Sequence, residues 1–275
     1  MCASIGHREG RCMGLVKRLG DRAHNRRPPV VVSFPKSGRS WYLVLLSELS
    51  LKVRLDHAGS DLGLAKSLEE LDTSTASNYS KIALLVRDPR DAVVSGYYHL
   101  RDRSGRAYSG SMSEFIRDPR FGIEKAVRFN LMWSEFLASN SGLCISYEDT
   151  HADAFGTLRK ILSFFGESRT DDQIRRVADR NSFSDMRGRE ERGEYSQFGK
   201  ALGATRAGDA SSLKLRKGQV AGYQDDLNED DLAYCSSILQ TSRYFARLSK
   251  WQMPHHQALQ SSPPVTSRES EDRLR

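Results

Sequence analysis

Two short segments of this chain carry residues of the right types and spacing to hold anions. The first, Val30-Val-Val-Ser-Phe-Pro-Lys-Ser-Gly-Arg-Ser40, runs an apolar, β-branched strand into a Pro-Lys-Ser-Gly loop, and a helix is predicted to open at Trp41. A strand-to-helix turn aims unpaired backbone N–H groups and the positive end of the helix dipole at one point, so an anion there meets donors with little reorganisation. Lys36, Ser37, Arg39 and Ser40 add side-chain donors. The second segment runs another buried-strand pattern, Lys81-Ile-Ala-Leu-Leu-Val86, into Arg87-Asp-Pro-Arg-Asp-Ala-Val-Val-Ser-Gly-Tyr-Tyr-His99. Asp88 suits a helix cap and Pro89 the first helical turn, so Ser95 falls about two turns into that helix and can face the same pocket as Arg87. Two strand ends, each with an anion site and separated by a crossover, describe the crevice where open α/β sheets bind nucleotides.

The Walker loop, Gly-x-x-x-x-Gly-Lys-Ser/Thr, ends on its lysine beside a hydroxyl that holds magnesium. Here Lys36 precedes Gly38 and sits near the strand end, which implies a related cradle with a different role for the lysine. Phe34-Pro-Lys-Ser-Gly-Arg-Ser-Trp41 resembles the 5′-phosphosulfate loop of the sulfotransferases that use 3′-phosphoadenosine 5′-phosphosulfate (PAPS). The segment from Arg87 to Ser95 resembles that family's 3′-phosphate site, and Arg216-Lys-Gly218 its Arg-Lys-Gly triplet, which returns to the same phosphate. Leu143-Cys-Ile-Ser-Tyr-Glu-Asp149 and Asn181-Ser-Phe-Ser-Asp-Met186 are similar to two further family segments. The resemblance spans roughly residues 30–245, and the order of its motifs carries more weight than any one of them.

The resemblance implies a PAPS-dependent transfer of a sulfuryl group to a hydroxyl or amine, without a metal, leaving 3′-phosphoadenosine 5′-phosphate (PAP). It assigns PAPS contacts to Lys36, Ser37, Gly38, Arg39, Ser40, Trp41, Arg87, Ser95, Tyr147, Ser182, Phe183, Arg216, Lys217 and Gly218. Trp41 and Phe183 would sandwich the adenine, with Tyr147 and Ser182 as polar contacts. Lys36 would neutralise the bridging oxygen of the leaving phosphate, by analogy with phosphoryl transfer. His57 stands where the family has its catalytic base, with Asp56 before it as a candidate to orient the ring. His99 is the rival base, but at the end of the second helix it is expected to point away. Ser40 keeps the hydroxyl of the family's usual threonine. Residues 222–230 lack the Lys-x-x-x-Thr-Val-x-x-x-Glu signature of dimeric cytosolic members, which leaves the oligomeric state open.

Those residues need a frame, and the rest of the chain is patterned to supply one. Apolar strands alternate with helical patterns over residues 41–50, 114–139 (two helices broken near Asp118-Pro119), 154–165 (stopped at Gly166), 171–180 and 229–245. This predicts an α/β fold: three layers, a central parallel sheet flanked by helices, and a P-loop-like nucleotide-binding core. The expected organisation is a flexible N-terminal extension over 1–29, with a cleaved transit peptide as the alternative, one domain over 30–252, and a disordered tail over 253–275 rich in Pro, Ser and Gln. Residues 187–215, without periodicity, read as a lid.

A formal net charge of +7 over 275 residues favours anionic partners, but the arginines are scattered, which argues against nucleic acid. Cys2, Cys12, Cys144 and Cys235 have neither metal-ligand nor disulfide spacing and fit a reducing, cytoplasmic setting. No run approaches the ~20 apolar residues of a membrane span. The acceptor, a small molecule or a carbohydrate, would be lined by residues 56–80, 99–122 and 187–212. Two other readings fit an anion cradle: a nucleotide-dependent phosphotransferase, and a module that binds 3′-phosphoadenosine nucleotides without turnover.

Overall fold

Continuous β-branched and leucine runs make strands that are buried on both faces. A computed structural model describes residues 27–62, 67–103, 107–195, 202 and 218–261. In it, β1 (Val30–Ser33) and β3 (Ile82–Val86) are buried at every residue. They are joined by β2 (Arg54–Asp56) and β4 (Leu143–Ser146) in a parallel sheet of order β2-β1-β3-β4. Alternate side chains leave the sheet on opposite faces, so β1, β3 and β4 each feed two cores. Val30, Val32, Leu84 and Val86 pack with α2 (Pro89–Tyr98), α3 (Met112–Arg117), α4 (Ile123–Ser139), α9 (Glu229–Thr241) and α10 (Tyr244–Leu248). Val31, Ala83, Leu85 and Ile145 pack with α1 (Arg39–Glu48), α6 (Ala154–Phe165), α7 (Asp171–Arg180) and α8 (Phe183–Glu191). The result is the expected three-layer α/β fold. No helix among the described residues is long and apolar enough to cross a membrane.

Register explains how the site is built. Val32 pairs with Asp56, Ser33 with Leu85, and Val86 with Ser146. The four carboxyl ends therefore lie along one edge of the sheet, and the residues that follow them, Phe34, His57, Arg87 and Tyr147, emerge side by side. The helix starts are set locally. Asp88 caps α2 by accepting from Arg90 N, with Pro89 in the first turn, and Ser146 caps α5 (Tyr147–Ala152) by accepting from Asp149 N.

Several expectations need correction. The helix after β1 begins at Arg39, two residues before Trp41. The expected 229–245 helix is interrupted at Arg243, which has a left-handed φ of 53°. Part of the expected lid is the helix α8. The N-terminal extension is not loose up to residue 29, because Pro28 and Pro29 accept backbone hydrogen bonds from Ser80 and Arg54. The tail does not begin at 253. Residues 254–258 form α11 (Pro254–Ala258), which packs on α5 and buries His256 completely.

Candidate active site

The edge formed by the four strand ends is the floor of a cleft. The turn after β1 contributes Pro35, Lys36, Gly38, Arg39, Ser40 and Trp41 to its lining. This turn takes left-handed backbone at two positions, Lys36 with φ 70° and Gly38 with φ 103°, a region that a β-carbon disfavours by about 1–2 kcal/mol, so the cost falls on Lys36. Gly38 is also sterically required, because a Cβ there would lie 2.8 Å from the Tyr147 ring. Ser37 differs from expectation. Its side chain is fully buried and does not line the cleft.

The end of β3 brings Arg87 to the same place. Its side chain is 11 % exposed, and its guanidinium stacks 4.3 Å from the Tyr147 ring centre and donates to the carbonyls of Lys36 at 3.3 Å and Gln219 at 3.1 Å. Burial works against this charge, but Asp91 at 3.6 Å, with help from Tyr147 and Glu148, holds its pKa above the ordinary value. Asp91 accepts from the backbone N–H groups of Ala221 and Tyr223, at 3.0 and 2.9 Å. Burial pushes its carboxyl up to about 6 against the opposing pull of Arg87. Asp91 therefore ties the 221–223 turn to the Arg87 site. Ser95, on α2, lines the cleft, and so does His99 just beyond that helix. The expectation that His99 points away is wrong, since residues four apart on a helix share a face.

Three aromatic residues wall one end. Trp41 donates its ring N–H to Asn181 O at 2.9 Å and meets Tyr147 edge-on, with ring centres 5.5 Å apart. Tyr147 donates to Gly218 O at 2.9 Å, and burial raises its hydroxyl pKa. Phe183 lines the cleft at the start of α8. Gly218, with φ 63°, lies so close to Phe183 that any Cβ would collide with the ring. Ser182 is committed to another task. As the cap of α8 its hydroxyl serves Asp185, and it does not line the cleft. Arg216 and Lys217 lie outside the described residues.

At the other end, β2 delivers His57. Its Nδ1 is 2.8 Å from the carbonyl of Ser33, which can only accept, so Nδ1 carries the hydrogen and the neutral ring keeps its lone pair on Nε2. Nε2 is 4.0 Å from Asp61 Oδ1. Asp56 does not orient the ring. Its carboxylate accepts from Tyr79 OH and from Ala58 N, bonds that outweigh burial and hold its pKa below the ordinary value. Asp61, Leu62 and Val94 complete this end, and Arg39 stands near it, its pKa lowered by burial despite Asp61 and Asp56. Asp61, Asp91 and Gln219 are site residues that the sequence does not announce. Asp91 alone carries a signal, as the second acid of the Arg-Asp-Pro-Arg-Asp segment.

The geometry has known relatives. Sulfotransferase 6B1 of Homo sapiens is 26 % identical over 227 residues, covering 73 % of this chain and 71 % of that protein. Sulfotransferase 2A1 of Rattus norvegicus is 24 % identical over 195 residues, covering 58 % and 66 %. Among solved structures, mouse sulfotransferase SULT7A1 complexed with PAP aligns with TM-score 0.58 at 20 % identity, covering 79 % of this chain and 85 % of that one. Retinol dehydratase in complex with androsterone and inactive cofactor PAP aligns with TM-score 0.57 at 15 % identity, covering 78 % and 80 %. The sulfotransferase domain model matches residues 48–252, beginning within α1. This chain belongs to the sulfotransferase family.

Proposed function

We propose that this protein transfers a sulfuryl group from PAPS to a hydroxyl or amine, and that the cleft at the strand ends is where it does so. The observation that carries this reading is the convergence of two separate anion sites, the Lys36–Ser40 turn and the Arg87–Ser95 face of α2, beside an aromatic wall of Trp41 and Phe183. A nucleotide phosphorylated at both its 5′ and 3′ positions fits that arrangement, and two structural neighbours were crystallised with PAP. Gly38 and Gly218 let the backbone pass close to the Tyr147 and Phe183 rings, where a side chain would collide, and so fix the aromatic wall against the two loops.

The chemistry moves an electrophilic sulfur in line from a phosphate oxygen to the acceptor. Arg87 and Ser95 bind the 3′-phosphate, and the backbone N–H groups of the turn, with Arg39 and Ser40, hold the 5′ end. Lys36 neutralises the charge that develops on the bridging oxygen. His57 takes the acceptor proton at Nε2, while the Ser33 carbonyl continues to hold Nδ1–H and steadies the imidazolium. The acceptor end is polar, with His57, Asp61 and His99 beside Leu62 and Val94, and this favours a polar acceptor over a flat apolar one.

The test is transfer of sulfur label from PAPS to a panel of phenols, alcohols, amines and saccharides. Wild type is expected to label at least one class, and His57→Ala to lose labelling while still binding PAP. Undiminished turnover in His57→Ala would remove His57 from the mechanism.

A further inference from the structure

The family match ends at residue 252, yet the segment beyond it is bonded to the floor of the cleft. His256, on α11, is fully buried, and its Nδ1 lies 2.8 Å from Glu148 Oε2, itself fully buried. The other carboxylate oxygen of Glu148 accepts from Asp88 N at 2.8 Å. Two neighbouring bonds run the same way. Arg90 clasps the Asp88 carboxylate and donates to Leu259 O at 3.2 Å, and His255 N donates to Asp149 Oδ1 at 3.0 Å. The residues held in this way are the immediate neighbours of two cleft residues, since Asp88 follows Arg87 and Glu148 follows Tyr147.

The location matters because the sheet no longer fixes the chain there. The β3–β4 ladder ends at Val86 and Ser146, and the two strands then part into α2 and α5. Glu148 spans that divergence with one oxygen on Asp88 N and the other on His256. A buried carboxylate keeps a fixed orientation only while both oxygens are satisfied. If the donor at His256 is lost, Glu148 must turn toward another donor, and Asp88 N loses a charged acceptor next to the Arg87 anion site.

We propose that His256 is a positioning residue for nucleotide binding, acting through Glu148 and Asp88 on Arg87, so that α11 belongs to the functional unit. The proposal rests on the assignment of Arg87 to the 3′-phosphate. Calorimetric titration of the full chain with PAP tests it in four proteins. His256→Leu, which fills the site without a donor, weakens binding about tenfold, the worth of one charge-assisted hydrogen bond. His256→Asn, whose side-chain N–H can replace Nδ1–H, restores affinity to within about twofold of wild type, well inside that difference. Val177→Ala, a core truncation between α7 and the opposite face of the sheet, lowers stability and leaves affinity unchanged. If His256→Leu does not fold, His256→Met, a flexible apolar filler, takes its place. Wild-type affinity in the apolar variant, or an equal loss in His256→Asn, would overturn the proposal. Failure of the wild type itself to bind PAP would overturn the nucleotide assignment first, and the proposal with it.

Discussion

At the scale of single residues, the cleft combines charge with backbone conformations that its side chains do not favour. Lys36 takes a left-handed conformation while its carbonyl is held by Arg87, so the turn after β1 and the end of β3 are tied by one hydrogen bond. Lys36→Met keeps the bulk and removes the charge. It is expected to lower kcat on the order of a hundredfold or more while PAP affinity changes far less, because a cation aimed at developing charge acts mainly in the transition state. Single-turnover rates beside PAP calorimetry separate the two effects. Gly218→Ala adds a β-carbon at φ 63° against the Phe183 ring. A loss of about 1–3 kcal/mol in PAP binding or in stability follows, read by titration and by denaturant unfolding. Most of these positions are legible in the sequence because strand-loop-helix chemistry is local. Asp61 and Gln219 are not, because what brings them to the cleft is tertiary. Ser37 and Ser182 depart from expectation for a related reason. A hydroxyl beside a motif can be buried or can cap a helix, and only packing decides which.

At the scale of elements, the helices with strong apolar periodicity and clear caps are readable to the residue. α6 runs from the Asp153 cap to left-handed Gly166, and α7 starts from a Thr170–Gln173 capping box. β2 is hard to read because it is a three-residue edge strand of mixed polarity. α11 is hidden because its Pro- and His-rich composition resembles a tail, and the partner that buries His256 lies 108 residues away. That helix has a pH signature. Burial disfavours the His256 imidazolium, but Glu148, with Asp88 and Asp149 behind it, raises the pKa above the ordinary 6.5. A raised folded-state pKa contributes stability that is fully present below 6.5 and is lost as pH rises through the folded value. The stability difference between wild type and His256→Asn is therefore expected to shrink as pH is raised from about 6 toward about 9, measured by denaturant unfolding across that range. A difference independent of pH would mean that the imidazole binds its proton no more tightly in the folded state than in the unfolded one.

At the scale of the whole molecule, a parallel sheet places four strand ends on one edge, and a net charge of +7 gives the chain a bias toward anionic ligands. The order of motifs along the chain points to the family by itself, because strands β1, β3 and β4 each end in one of them. The acceptor is not legible, since its end of the cleft is built from connecting segments without a motif. Nucleotide binding is the property on which the function depends. Thermal unfolding of the full chain with PAP, with ATP and magnesium, and with 5′-AMP, in wild type and Arg87→Ala, tests it most directly. PAP at about a hundredfold over its Kd should raise the wild-type Tm by about 5–10 °C, from about 2.7 kcal/mol of linkage in a domain of this size. 5′-AMP should do much less, and Arg87→Ala should abolish the shift. No shift with PAP, or a shift only with ATP and magnesium, would contradict the sulfotransferase reading of this cleft.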